Sequence, residues 1–171
     1  VTCFPRFGRS DEPITAAGNF GPQESPPILS SRSGATAVLY LDFDGETVTD
    51  PAWNGGKTIV AQPSPLTSSE ITAVWNLVKE DYWPFNIDVT TDVMRYNRAP
   101  VGRRMRCIIT PTCDWYGYGS AGLAMRHSFA NAGSSYSSPI PCWVFAASNP
   151  KHAAEGASHE LGHTLGLRHD G

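Results

Sequence analysis

Long apolar runs and a surplus of basic residues are both missing from this sequence. No stretch approaches the roughly 20 apolar residues of a membrane-spanning helix, and nothing at Val1 resembles a signal peptide, so we expect any exported form to be the mature one. A net charge of −3 argues against nucleic-acid binding, which normally needs a basic surplus. With 171 residues, 40% of them hydrophobic, the chain is predicted to form one globular domain with its own core.

Cysteine is scarce: the chain has four, at Cys3, Cys107, Cys113 and Cys142. The even number is compatible with two disulfides, and the spacing lacks the close pairs of a zinc finger. Abundant glycine and proline, with few lysines, suit a secreted protein, so we predict an extracellular location. The alternative is a reduced protein whose cysteines are small core residues.

Residues 1–34 are rich in Pro, Gly and Ser and show no apolar period, which predicts an N-terminal arm or pro-segment lying on a folded body of residues 35–171. The body begins with the apolar run Ala35–Phe43, typical of a strand covered on both faces. A loop containing Pro51 and Gly55 is expected to follow.

A helix is predicted to begin at a capping box formed by Thr67 and Glu70 and to stop before Pro84. Apolar residues recur there at helical spacing and define one buried face: Ile71, Val74, Trp75, Val78 and Tyr82. Further strands are predicted at Phe85–Thr91, Arg104–Thr110 and Pro141–Ala146, an edge strand within Gly119–Phe129, and a last helix at Ala153–Leu165. This order implies an α/β protein with helices packed on a mixed sheet.

The richest motif is His159–His169, which reads HELGHTLGLRH. Positions i and i+4 share one face of a helix, so His159 and His163 can direct two imidazoles at one ion. Glu160 can exchange protons with a zinc-activated water. His169 lies too far along for that face, so the chain must turn, and Gly166 permits the turn.

Three imidazoles would leave one position of a tetrahedral zinc open for water, as in catalytic sites. The short pattern His-Glu-x-x-His also arises on ordinary helices, as two surface histidines beside a solvated glutamate. The extended pattern adds Gly166 and His169 at fixed offsets, which makes it a much stronger signal. His127 and His152 are expected to be surface or supporting residues without a ligand role.

The stretch Ser158–Gly171 resembles the zinc signature of the metzincin metallopeptidases, and Asp170 looks like that of the reprolysin or adamalysin branch. Trp75–Thr91 resembles the first helix and second strand of reprolysin-like bacterial proteins. The resemblance covers roughly residues 35–171. It implies a zincin-like α+β fold, the upper metzincin subdomain, with two main helices on a five-stranded, mostly parallel sheet.

The same resemblance implies a zinc-dependent endopeptidase that hydrolyses peptide bonds, with zinc on His159, His163 and His169 and with Glu160 as general base. It also implies an antiparallel edge strand that lines the cleft and pairs with an extended peptide or protein substrate, formed by Gly122, Leu123, Ala124 and Met125.

One departure from the metzincin pattern concerns methionine. Metzincins carry a methionine-containing turn and a C-terminal subdomain after the zinc motif, whereas Met94, Met105 and Met125 all precede it here. We therefore expect a fragment that pairs with the C-terminal part of the same gene product, one half of a nicked enzyme, or a degenerate relative. Residues 1–171 alone are expected to bind zinc but to cleave casein poorly, because half the cleft wall would be absent.

The resembled fold also suggests how the cysteines pair. It makes the strands that begin near Cys107 and Cys142 parallel neighbours, which implies a Cys107–Cys142 disulfide and leaves Cys3 for Cys113. A rival role for Cys3 is as a thiolate that blocks the zinc, as in latent metzincins.

Two other functions compete with this interpretation. Leu39–Gly45 resembles the aspartate motif of haloacid-dehalogenase-type phosphatases, with Asp42 and Asp44 as acid groups, but Glu46 intervenes before the expected threonine. In the simpler interpretation both aspartates form a turn at a strand end. The second alternative is an exported binding or structural module that keeps the fold and has lost the chemistry.

Overall fold

A computed structural model describes residues 2–5, 25–116, 120–129, 140–146 and 148–169. Eight strands and three α-helices lie within these ranges. The strands are β1 (Thr2–Pro5), β2 (Ala37–Asp42), β3 (Glu46–Val48), β4 (Ile59–Ala61), β5 (Ile87–Thr90), β6 (Arg104–Thr110), β7 (Ser120–Ala124) and β8 (Cys142–Phe145). The helices are α1 (Ser68–Asp81), α2 (Val93–Arg98) and α3 (Pro150–Thr164).

The main sheet is mixed, with the strand order β1-β7-β8-β6-β2-β5. The four neighbouring strands β8, β6, β2 and β5 run parallel to one another, and β7 runs antiparallel to β8. These pairings confirm the predicted α/β class. They also confirm the five-stranded, mostly parallel sheet with an antiparallel strand next to β8. A sixth strand, β1, was not predicted, and it pairs antiparallel with the outer edge of β7.

The two long helices cover one face of this sheet. Leu39 and Leu41 of β2 belong to the same buried cluster as Val74 and Val78 of α1 and Leu161 of α3. The opposite face is covered by α2 and by the hairpin of β3 and β4, a region that was expected to be a loop. Strand β2 is thus buried on both faces, as its apolar sequence predicts.

Local signals set the ends of both long helices. Thr67 and Glu70 form the predicted reciprocal capping box at the start of α1. Asn149 caps α3 by accepting hydrogen bonds from two main-chain amides, and Pro150 occupies its first turn. No helix within the described ranges is both long and apolar enough to cross a membrane.

Helix α3 is held in place by α1. The Tyr82 hydroxyl donates to the main-chain oxygen of Ser158 at 2.8 Å, and the Ser158 hydroxyl donates to the Asp81 carboxylate at 2.6 Å. These contacts lie one residue before the first histidine of the motif. They position the half of α3 that carries the candidate site.

Candidate metal centre

Three histidine side chains converge at the C-terminal end of α3. The Nε2 atom of His159 lies 2.8 Å from Nε2 of His163 and 2.8 Å from Nε2 of His169, and the last two atoms are 3.1 Å apart. Zinc–nitrogen bonds of 2.0–2.1 Å in a tetrahedron would separate such atoms by about 3.3 Å. The three imidazoles therefore need to move apart by only a few tenths of an ångström to hold one zinc ion.

A turn after α3 brings His169 back to the other two ligands. Gly166 has φ +104°, and its N–H donates to the His163 oxygen at 2.9 Å. A Cβ atom at this position would lie 2.6 Å from two ring atoms of His127. Both the backbone conformation and the contact with His127 require glycine here, and only the first of these reasons can be read from the sequence.

The protonation state of His159 suits a metal ligand. Burial, together with the neighbouring His163 and His169 rings, lowers the pKa of its imidazole to about 4. The ring is therefore neutral at pH 7. A neutral imidazole offers the lone pair that a cation needs.

Glu160 lies in α3 between His159 and His163 and is buried. Its side chain is fully buried, and neither carboxylate oxygen has a hydrogen-bond partner among the described residues. Burial raises the pKa of Glu160 to about 8. A buried carboxylate without a partner costs free energy, so the residues present fit a bound cation and its water next to this side chain.

Three of the four residues predicted to line the substrate cleft, Gly122, Leu123 and Ala124, lie in β7, and the half-buried Met125 directly follows it. Leu123 and Ala124 point their side chains into the core, and Gly122 faces Glu160. Any contact of these residues with a peptide would therefore be made by the main chain. The outer edge of β7, which was expected to be open, is paired with β1 in the register Thr2↔Ala124 and Cys3↔Leu123.

The cysteines are only partly brought together. Cys107 and Cys142 are buried partners in the register of β6 and β8 and are present as thiols. Burial, together with the neighbouring Cys107 thiol, raises the pKa of Cys142. The two cysteines of the predicted Cys107–Cys142 disulfide are thus neighbours in the sheet, but no disulfide bond joins them. Cys113 follows β6, and the Cys3 side chain lies outside the described residues, as does Asp170.

The aspartates of the phosphatase alternative occupy a structural position. Asp42 is 1% exposed, and its Oδ2 lies 3.6 Å from Nε of Arg106. Burial and a side-chain hydrogen bond to Asp44 raise the pKa of Asp42 to about 8, although the positive charge of Arg106 acts to lower it. A buried, protonated carboxyl group is a poor nucleophile, which disfavours phosphatase chemistry.

His127, which was expected to be a surface or supporting residue, contacts the end of α3 through its main chain. It is exposed, as expected, but has φ +63°, an uncommon conformation for a residue with a side chain. Its N–H donates to the His163 oxygen at 3.1 Å, and the Phe129 N–H donates to the Thr164 oxygen at 3.1 Å. The chain after β7 therefore caps the carbonyl end of α3.

No family model, no curated protein and no solved structure matches this chain. The interpretation of the site depends on its own geometry and chemistry.

Proposed function

We propose that this protein is a zinc-dependent endopeptidase. The observation that carries the proposal is the convergence of three imidazole Nε2 atoms within 3.1 Å of one another. The same helix carries Glu160, a buried carboxylate without a hydrogen-bond partner among the described residues. Three nitrogen ligands leave one coordination position for water, which is the arrangement of catalytic zinc sites. The resemblance of His159–His169 to the metzincin signature supports the same conclusion.

His159, His163 and His169 would hold the metal. Zinc bound there would supply a Lewis acid that polarises a peptide carbonyl and acidifies a water molecule. Glu160 would accept a proton at its carboxylate and later deliver it to the leaving amine. The same carboxylate would thus act first as general base and then as general acid.

The substrate class is an extended peptide. The outer edge of β7 accepts a strand in antiparallel register, as its pairing with β1 illustrates. A peptide lying on that edge would gain main-chain hydrogen bonds that do not depend on its side chains. On this proposal a substrate replaces β1.

Glu160→Gln tests the function, with Glu155→Gln as its matched control. Glu155 lies on the same helix but is exposed and paired with Lys151. In the complete gene product we expect Glu160→Gln to bind zinc normally and to lose casein hydrolysis by about 10²–10⁴-fold. Glu155→Gln should leave both unchanged. Zinc binding without hydrolysis by any form would favour the binding-module alternative.

A further inference from the structure

Gly122 lies directly against the Glu160 side chain. A Cβ atom on Gly122 would be 2.7 Å from Cγ and 2.7 Å from Oε1 of Glu160. It would also be 2.8 Å from the main-chain oxygen of Trp143. All three distances are below 3.0 Å, which is closer than Cβ atoms come to other non-bonded heavy atoms. A side chain at position 122 would therefore force a neighbouring group to move.

Only one of these neighbours is free to move. Trp143 lies in β8, which is paired on both sides, with β6 and with β7, so its main-chain oxygen is held by the sheet. The Glu160 side chain is instead joined to α3 by rotatable bonds, and its carboxylate has no hydrogen-bond partner among the described residues. The contacts with Glu160 would therefore be relieved by displacement of its carboxylate, whereas the contact with the Trp143 oxygen would need a small shift of the main chain.

Other glycines near the site contact different groups. A Cβ on Gly156 would approach only the Val144 side chain, at 3.0 Å, and one on Gly162 would approach Leu167 Cδ1 at 3.2 Å. Neither would lie near Glu160. Gly156 is thus a matched control. It is a buried glycine in α3, the helix that carries Glu160, and its substitution would crowd the side chain of Val144 in the core.

We propose that Gly122 is a positioning residue, whose missing side chain makes the space that the Glu160 carboxylate occupies. The proposal depends on the endopeptidase function. On this proposal β7 has two roles. Its outer edge pairs with a peptide, and Gly122 determines the position of the Glu160 carboxylate.

The kinetic test compares Gly122→Ala with Gly156→Ala in the complete, zinc-loaded gene product. Alanine keeps the main-chain groups of β7, so KM should change by less than about threefold, while kcat falls on the order of a hundredfold for a displacement near 1 Å. Zinc affinity should stay within about threefold, because the histidines are untouched. Gly156→Ala should preserve kcat. In a Glu160→Gln background, Gly122→Ala should have no further effect on kcat. An equal loss in both backgrounds would overturn the proposal.

A stability cycle tests the same contact without catalysis. Gly122→Ala should lower the midpoint of thermal unfolding by about 3–8 °C through overpacking. In a Glu160→Ala background, which removes the crowded atoms, the loss should be smaller by half or more. Equal losses in the two backgrounds would contradict the proposal. If Glu160→Gln keeps full activity, the endopeptidase function fails, whereas the stability cycle still decides whether Gly122 holds this side chain.

Discussion

His163 and Leu167 are joined by a hydrogen bond of 2.8 Å between the imidazole Nδ1 and the Leu167 main-chain oxygen. Because a carbonyl oxygen only accepts, Nδ1 carries the proton, and Nε2 presents its lone pair to the cluster. The Leu167 N–H in turn donates to the Gly162 oxygen at 3.0 Å. The turn that returns His169 to the site therefore also selects the tautomer of His163 that can bind a metal.

Gly166→Ala should weaken zinc binding. The substitution places a side chain at φ +104° and within 2.6 Å of the His127 ring, so the turn must deform and move His169. We expect the Kd for zinc to rise by about 10–100-fold, measured by competition with a chromogenic chelator. Gly34→Ala, where a Cβ meets nothing within 4 Å, is the control. Equal affinities for the two variants would show that the turn does not position the third ligand.

Proline at position 3 should favour substrate over β1. It removes an N–H from the strand that pairs with β7 and so weakens that pairing. We predict that Cys3→Pro lowers KM for an extended peptide several-fold, measured on the complete gene product. Cys3→Ser keeps the main-chain N–H and should leave KM unchanged. A gain in activity from Cys3→Ser as large as that from Cys3→Pro would instead support a thiol that blocks the metal.

Asp42 should make the protein less stable as pH rises. Its pKa is about 8 in the folded protein and near 3.8 when unfolded, so between these values the unfolded chain releases the proton first. The free energy of unfolding therefore falls from about pH 4 to pH 8, by an amount on the order of a few kcal/mol. Asp42→Asn should reduce the difference in stability between pH 5 and pH 8 in urea titrations. The same difference in wild type and variant would refute the assignment.

Arg95→Ala should destabilise the fold while leaving the metal centre intact. Arg95 donates to the fully buried Asp88 carboxylate at 3.0 Å, and Asp88 also accepts from the main-chain amides of Ser31 and Arg32. Leaving that carboxylate without its charged partner should cost about 3–5 kcal/mol in urea unfolding. Arg98→Ala, on the exposed side of the same helix, should cost less than about 0.5 kcal/mol. Similar losses for both would mean that the ion pair contributes little.

The parts of the fold that were predictable are those encoded locally. The capping box at Thr67 and Glu70, and the apolar run of β2, depend on neighbouring residues, and the structure confirms both. The histidine cluster was predictable for the same reason, since all three rings belong to one segment of eleven residues that contains its own turn. Whether zinc occupies it stays a prediction.

The features that were missed depend on contacts between distant segments. Arg95 and Arg106 form ion pairs with buried aspartates, and no residue pattern in the sequence points to either pair. The pairing of β1 with β7 involves main-chain groups, which leave no residue pattern in the sequence. The contact between Gly122 and Glu160 joins a strand and a helix 38 positions apart, so no spacing could have revealed it.

X-ray absorption spectroscopy of the zinc-loaded chain tests the central claim most directly. We predict one zinc ion per chain, with three imidazole nitrogens at 2.0–2.1 Å and one oxygen, and loss of one nitrogen from the coordination shell in His169→Ala. A sulfur ligand near 2.3 Å, or an unchanged shell in His169→Ala, would contradict a catalytic centre built from His159, His163 and His169.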